Sequence, residues 1–149
     1  MMLKRLVPMA LSASLTLAAP AQAASLPILT GGATDVLLPG LNITANAVLD
    51  EESSHLKGKI FYDFEPLGIQ VNAPVECALA VGNQAVAAGP DRQNPTQWWA
   101  IRVQDNGTSA DLVSALGPMS QSQAMTQCLT VGGAAVPVLD GNFTVRAPA

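Results

Sequence analysis

Leu41-Asn42-Ile43-Thr44-Ala45-Asn46-Ala47-Val48-Leu49-Asp50 is the stretch that decides the fold class. Leu41, Ile43, Ala45, Ala47 and Leu49 are apolar, whereas Asn42, Thr44, Asn46 and Asp50 are polar. Successive side chains of a strand point to opposite faces, so this alternation predicts a half-buried β-strand. A polar break at Glu51-Glu52-Ser53-Ser54-His55 follows. A second run then sets Leu56, Gly58, Ile60, Tyr62 and Phe64 against Lys57, Lys59, Asp63 and Glu65. The two runs predict a hairpin.

Alternation continues outward from that pair. Pro66 and Gly68 make a turn, after which Ile69, Val71, Ala73, Val75, Cys77, Leu79 and Val81 alternate over a long stretch. Pro74 lacks an N–H for a ladder, which predicts a bulge or an edge position there. Gly82-Asn83 is a two-residue hairpin signal leading into Gln84–Gly89, and a polar loop is expected over Pro90–Gln97. From Trp98 to Gln104, Trp99, Ile101 and Val103 take one face, while Trp98, Ala100, Arg102 and Gln104 take the other. Asn106-Gly107 predicts the next hairpin, with Asp111–Leu116 returning and Gly117-Pro118 ending it. Met119–Gln127 alone reads as helical. A strand near Val136–Leu139 and a final turn and strand over Asp140–Val145 close the chain. Together these predict an all-β domain, an antiparallel sandwich or barrel of about eight strands.

The first 23 residues fit a secretory signal. Lys4 and Arg5 form a basic start, Leu6–Ala19 is apolar, and Ala21-Gln22-Ala23 offers a cleavage site. Pro8, Pro20, Ser12, Ser14 and Thr16 interrupt the run, which disfavours a membrane anchor. Cleavage after Ala23 leaves residues 24–149, the size of one domain. It also removes 2 of the 7 basic residues, so 5 face 11 acidic ones and the mature charge becomes −6. The expectation is an exported chain, periplasmic or extracellular, with no membrane insertion after cleavage. Its acidity argues against a nucleic-acid partner, which would need a basic face. Export also permits Cys77 and Cys128 to form a disulfide. The alternative, a reactive thiol or a metal pair, lacks a CxxC spacing and a neighbouring histidine.

Several local motifs occur in order: Cys77-Ala78-Leu79-Ala80-Val81-Gly82-Asn83-Gln84-Ala85, Asp105-Asn106-Gly107, Asp111-Leu112-Val113-Ser114, and Gly141-Asn142-Phe143-Thr144-Val145. This order resembles a group of small exported bacterial β-rich proteins of unknown function. That group carries C-L-x-V-x-G-N-x-A, D-N-G, D-x-I-S and G-N-x-x-V segments. The likeness covers roughly residues 75–146 and implies a secreted β domain with one disulfide, without implying an activity. Ala78, Ala80 and Val113 depart from it, and Thr108-Ser109 lacks an acid that often follows the D-N-G segment.

Catalytic constellations are scarce. His55 is the only histidine and falls in a polar turn, which leaves no evident base for a serine or cysteine nucleophile. Asp63 and Glu65 share a strand face with Lys57 and Lys59, the pattern of a solvated surface, and Glu76 stands apart from them. Asp105, Asn106 and Asp111 bracket one short loop and offer hard oxygens to calcium, against an Asx-type turn bonding its own backbone. No other cofactor is implied. Trp98 and Trp99 must face opposite ways, so one is expected in the core and the other, Trp98, as an exposed platform for a small molecule, a glycan or a protein. The N-x-T triplets at Asn42, Asn106 and Asn142 read as turn chemistry, and Asn106-Gly107 as a deamidation site.

The functional expectation is a non-enzymatic exported module that binds a ligand or partner. The alternatives are a small β-barrel isomerase or hydrolase working through carboxylates in an apolar pocket, and a structural subunit of a surface assembly.

Overall fold

The computed structural model describes residues 25–35, 40–50 and 52–147; the expected export signal, its cleavage point and Glu51 lie outside them. Among the described residues the strands are β1 (Ser25–Asp35), β2 (Leu41–Asp50), β3 (His55–Phe64), β4 (Ile69–Pro74), β5 (Cys77–Val81), β6 (Gln84–Asp91), β7 (Asn94–Gln104), β8 (Leu112–Met119) and β9 (Val136–Val145), with one helix, α1 (Gln121–Gln127). They form one antiparallel ladder in the order β4-β3-β2-β1-β9-β8-β7-β6-β5.

That ladder folds into two layers because single stretches of chain switch partners at its corners. At one corner Val136 and Pro137 of β9 pair with β8, whereas Val138 onward pairs with β1. At the other, β4 and β5 are the two ends of the ladder yet are consecutive in the chain. The Val75 amide donates to Gly58 at 3.0 Å and the Glu76 amide to Ala88 at 2.8 Å, so the chain steps from β3 to β6 within two residues. Gly89 makes this crossing feasible, since a Cβ there would meet the Pro74 carbonyl oxygen. Strand pairing does not run continuously around the molecule, so the outcome is a sandwich with shared corners, not a closed barrel.

The layers bury Ile43, Ile60 and Val71 against Ile101, Val103 and Val113, with Leu29 and Phe143 beside them. Each such side chain contributes about 1.5–3 kcal/mol of transfer free energy. The hairpin expected from the opening stretch is present, with Leu41 opposite Phe64 and Asp50 opposite His55. Val81 stands opposite Gln84 across the Gly82-Asn83 turn. Pro74 ends an edge strand, where its missing N–H costs nothing.

Several expectations are corrected. A further strand, β1, lies inside the ladder between β2 and β9 although its sequence, with Gly31-Gly32, shows no alternation. The expected polar loop over Pro90–Gln97 is a tight turn, because β6 runs to Asp91 and β7 begins at Asn94. Gly117-Pro118 lies within β8, and the turn expected at Asp140-Gly141 is continuous strand. Asn42 and Asn142 accordingly sit in strands rather than turns.

The helix lies within the expected segment and starts two residues later, at a cap. The Ser120 hydroxyl accepts from the Gln123 amide, and the Gln123 side chain accepts from Ser120, a capping box. One buried residue, Ala124, packs α1 over Ala88, Trp98 and Ala100 on the outer face of β6 and β7.

Candidate functional site

Trp99 enters the space between the layers from β7. Trp98 pairs with Met119 and Ala100 with Leu116, so Trp99 faces a bulge in β8 containing Gly117 and the cis Gly117-Pro118 bond. Gly117 has φ 136°, and a Cβ on it would stand 2.7 Å from the Trp99 ring. Only glycine lets the indole lie there.

The Trp99 ring also meets Tyr62 edge-on, with centroids 5.9 Å apart and planes at 72°. Such pairs contribute about 0.5–1.5 kcal/mol beyond their buried area. The Tyr62 hydroxyl donates to the Ala100 carbonyl at 2.6 Å. Burial pushes its pKa far above the ordinary tyrosine value, only partly offset by a backbone hydrogen bond at Leu116. Tyr62 is therefore a fixed neutral donor.

These two rings wall an apolar cavity of about 180 Å³ at one end of the sandwich. Leu41, Phe64, Ile69 and Val71 line it from one layer and Ala115 from the other. Ile69 is 42% exposed at the rim. Engineered cavities of about 150 Å³ take up benzene, so the space suits one ring or a short branched chain. The Trp99 Nε1–H is buried without a hydrogen-bond partner. An unpaired buried donor costs about 1–3 kcal/mol.

The other expected site residues fall elsewhere. Trp98 is 5% exposed beneath α1, so the exposed platform expected there is absent: Ala124, Met119 and the Cys77–Cys128 disulfide cover it. Trp99 faces the space between the layers with Ile101 and Val103, as expected, but is only half buried there and stands beside a cavity. The cover is tertiary and has no counterpart in the alternation of β7. The disulfide joins the first residue of β5 to the C-cap of α1, with Cα atoms 6.1 Å apart. Arg102 holds the same helix end, donating to both Gln127 oxygens and to the Thr130 and Gly132 carbonyls at 2.8–2.9 Å.

Asp105, Asn106 and Asp111 do come together. Asp111, 3% exposed, accepts the Asn106 amide at 2.8 Å and the Phe143 amide at 2.7 Å, one on each carboxylate oxygen. Asp105 likewise accepts Gly107 at 3.0 Å and Val145 at 3.1 Å. The Asn106 oxygen accepts from Gln104 and its amide donates to Ala110. Their side-chain oxygens thus brace the hairpin to β9, extending the expected Asx turn across strands.

His55 shares an open depression with Ser54, Leu56, Val75 and Glu76, and Ser54 takes the left-handed φ of 58°. Among the described residues no hydrogen bond links Ser54, His55 and Glu76 into a relay. Asp63 and Glu65 do not line the apolar cavity, and neither does Glu76. Sequence reasoning placed Tyr62, Phe64, Ile69 and Val71 on inward faces without separating them from the packed core. The one available signal was Gly117, which leaves room opposite Trp99. No family model, no curated protein and no solved structure matches this chain.

Proposed function

We propose that this chain is an exported, non-enzymatic binding module whose site is the Trp99 cavity. Its ligand is a small apolar group, one ring or a branched chain. The observation that carries this reading is the apolar cavity of about 180 Å³ that Tyr62 and Trp99 wall between the two layers. Export is supported by the signal-like residues 1–23 and by the disulfide, which persists in oxidising compartments. Among the described residues no helix is long and apolar enough to cross a membrane.

Acetophenone, one ring with one carbonyl, is a suitable probe. Titrated into the mature chain it should quench tryptophan fluorescence saturably, with a Kd on the order of 1 mM or tighter. Ala115→Phe, which fills the cavity from an exposed position, should abolish the saturable phase while leaving the circular dichroism unchanged. Quenching that never saturates, or that survives in a folded Ala115→Phe variant, would end this assignment.

A further inference from the structure

We propose that the outer face of the layer β9-β1-β2-β3-β4 binds a neutral polysaccharide, independently of the Trp99 cavity. The register fixes what this face presents. Asn142, Gly32, Thr44, Phe61 and Asn72 stand opposite one another across five neighbouring strands, forming one row. Two residues to one side the row reads Thr144, Thr30, Asn46 and Lys59; two residues to the other, Asp140, Thr34, Asn42 and Asp63. The residues between these rows, Ile43, Ala45, Ile60, Val71 and Phe143, are buried in the core, so the rows point outward, except that the Asn72 side-chain oxygen is itself buried.

Hydroxyls and side-chain amides, each both donor and acceptor, dominate the array. Asn42, Thr44, Asn142 and Thr144 are exposed. Side-chain hydrogen bonds among the described residues gather instead at the 105–111 hairpin and around α1, which packs on the other layer. At the centre Phe61 is half buried and lies outside the apolar core, and beside it the Thr44 hydroxyl leans over Gly32, 3.4 Å from where a Cβ would stand. A sugar ring needs both features: an aromatic surface for its C–H face and neutral polar groups around the edge for its hydroxyls.

Charge and area select the occupant. Lys59, Asp63 and Asp140 are the charges in these rows, and the mature chain, with 5 basic against 11 acidic residues, carries −6, which repels polyanions and favours a neutral glycan. Five strands about 4.8 Å apart and three rows about 6.7 Å apart cover about 500 Å². A stable protein interface buries about 800 Å² per partner and is less hydrophilic at its centre, so a second copy fits poorly.

The test is retention of the mature chain on insoluble cellulose and chitin, compared with Thr44→Glu/Asn142→Glu, two exposed changes that put charge on the middle row. The parent chain should be retained on at least one polymer, with retention unchanged in high salt. The double variant, folded by circular dichroism, should bind at least about tenfold more weakly. Ala115→Phe should bind as the parent does, which separates this face from the cavity. Absence of retention on both polymers, equal retention of the double variant, or elution by salt would overturn the proposal. So would a dimer by size exclusion that the double variant dissociates, since the face would then serve self-association.

Discussion

Replacing Asp111 with alanine tests the most consequential side chain in the 105–111 hairpin. Its carboxylate, 3% exposed, takes the Asn106 and Phe143 amides at 2.8 and 2.7 Å, and so ties a hairpin loop to a strand 32 residues away. Hydrogen bonds to a charged group contribute about 1.5–3 kcal/mol each, which sets an upper range of about 3–6 kcal/mol for the pair. The Asn106 amide is only partly buried and water recovers some of its loss. The Phe143 amide is buried in β9 and has no substitute. Asp111→Ala should therefore cost about 3–4 kcal/mol, and Asp111→Asn, which keeps one acceptor oxygen but turns an NH₂ toward the second amide, about 2 kcal/mol. For a domain of this size 3 kcal/mol lowers Tm by about 10 °C. Urea unfolding followed by tryptophan fluorescence measures both variants, with the exposed Ser109→Ala as a control expected within about 0.5 kcal/mol of the parent. A loss below about 1 kcal/mol for Asp111→Ala, at unchanged m, would refute the bracing role.

Further outcomes follow from the same geometry. Tyr62 has its pKa raised by burial, so its folded state is favoured while the unfolded tyrosine is still neutral, and that stability is lost as pH rises above about 10. Urea midpoints between about pH 8 and pH 11 should fall less steeply for Tyr62→Phe than for the parent, and parallel curves would contradict this. Removing the disulfide by Cys77→Ser/Cys128→Ser frees a 51-residue separation and should cost about 4 kcal/mol by chain entropy, read from denaturant midpoints. Asn106-Gly107 should deamidate slowly in the folded chain, because the Gly107 amide that must attack is held by Asp105 and the Asn106 side chain is bonded at both ends. Mass spectrometry of aged samples should show faster conversion in Asp105→Ala, and equal rates would remove the protective role. Since N–H groups already occupy the oxygens of Asp105 and Asp111, chelation should leave Tm unchanged; a fall restored by calcium would show that the loop holds the ion.

Much of the architecture was legible because alternation is a local property. The runs 41–50 and 56–64 specify a strand pair in register, and Gly82-Asn83 specifies the turn between β5 and β6. The one segment expected to be helical, Met119–Gln127, contains α1. β1 was not legible: it lies between β2 and β9, and its Gly31-Gly32 pair replaces the apolar alternation that marks an isolated half-buried strand. The partner switch within β9 could not be read either, since nothing in residues 136–145 distinguishes one strand bending between two layers from two strands joined by a turn.

The candidate site divides in the same way. Sequence alone determined that Trp98 and Trp99 face opposite sides of β7, because side chains alternate along any strand. It also determined that Asp105, Asn106 and Asp111 belong to one loop, since they lie within seven residues. Which tryptophan is covered was decided by α1 and the disulfide, brought over Trp98 from about 20 residues away along the chain. Whether the inward side chains fill their space was decided by the meeting of the two layers, where Gly117 leaves a gap against Trp99. Volume between layers depends on residues distant in sequence, and no local pattern encodes it.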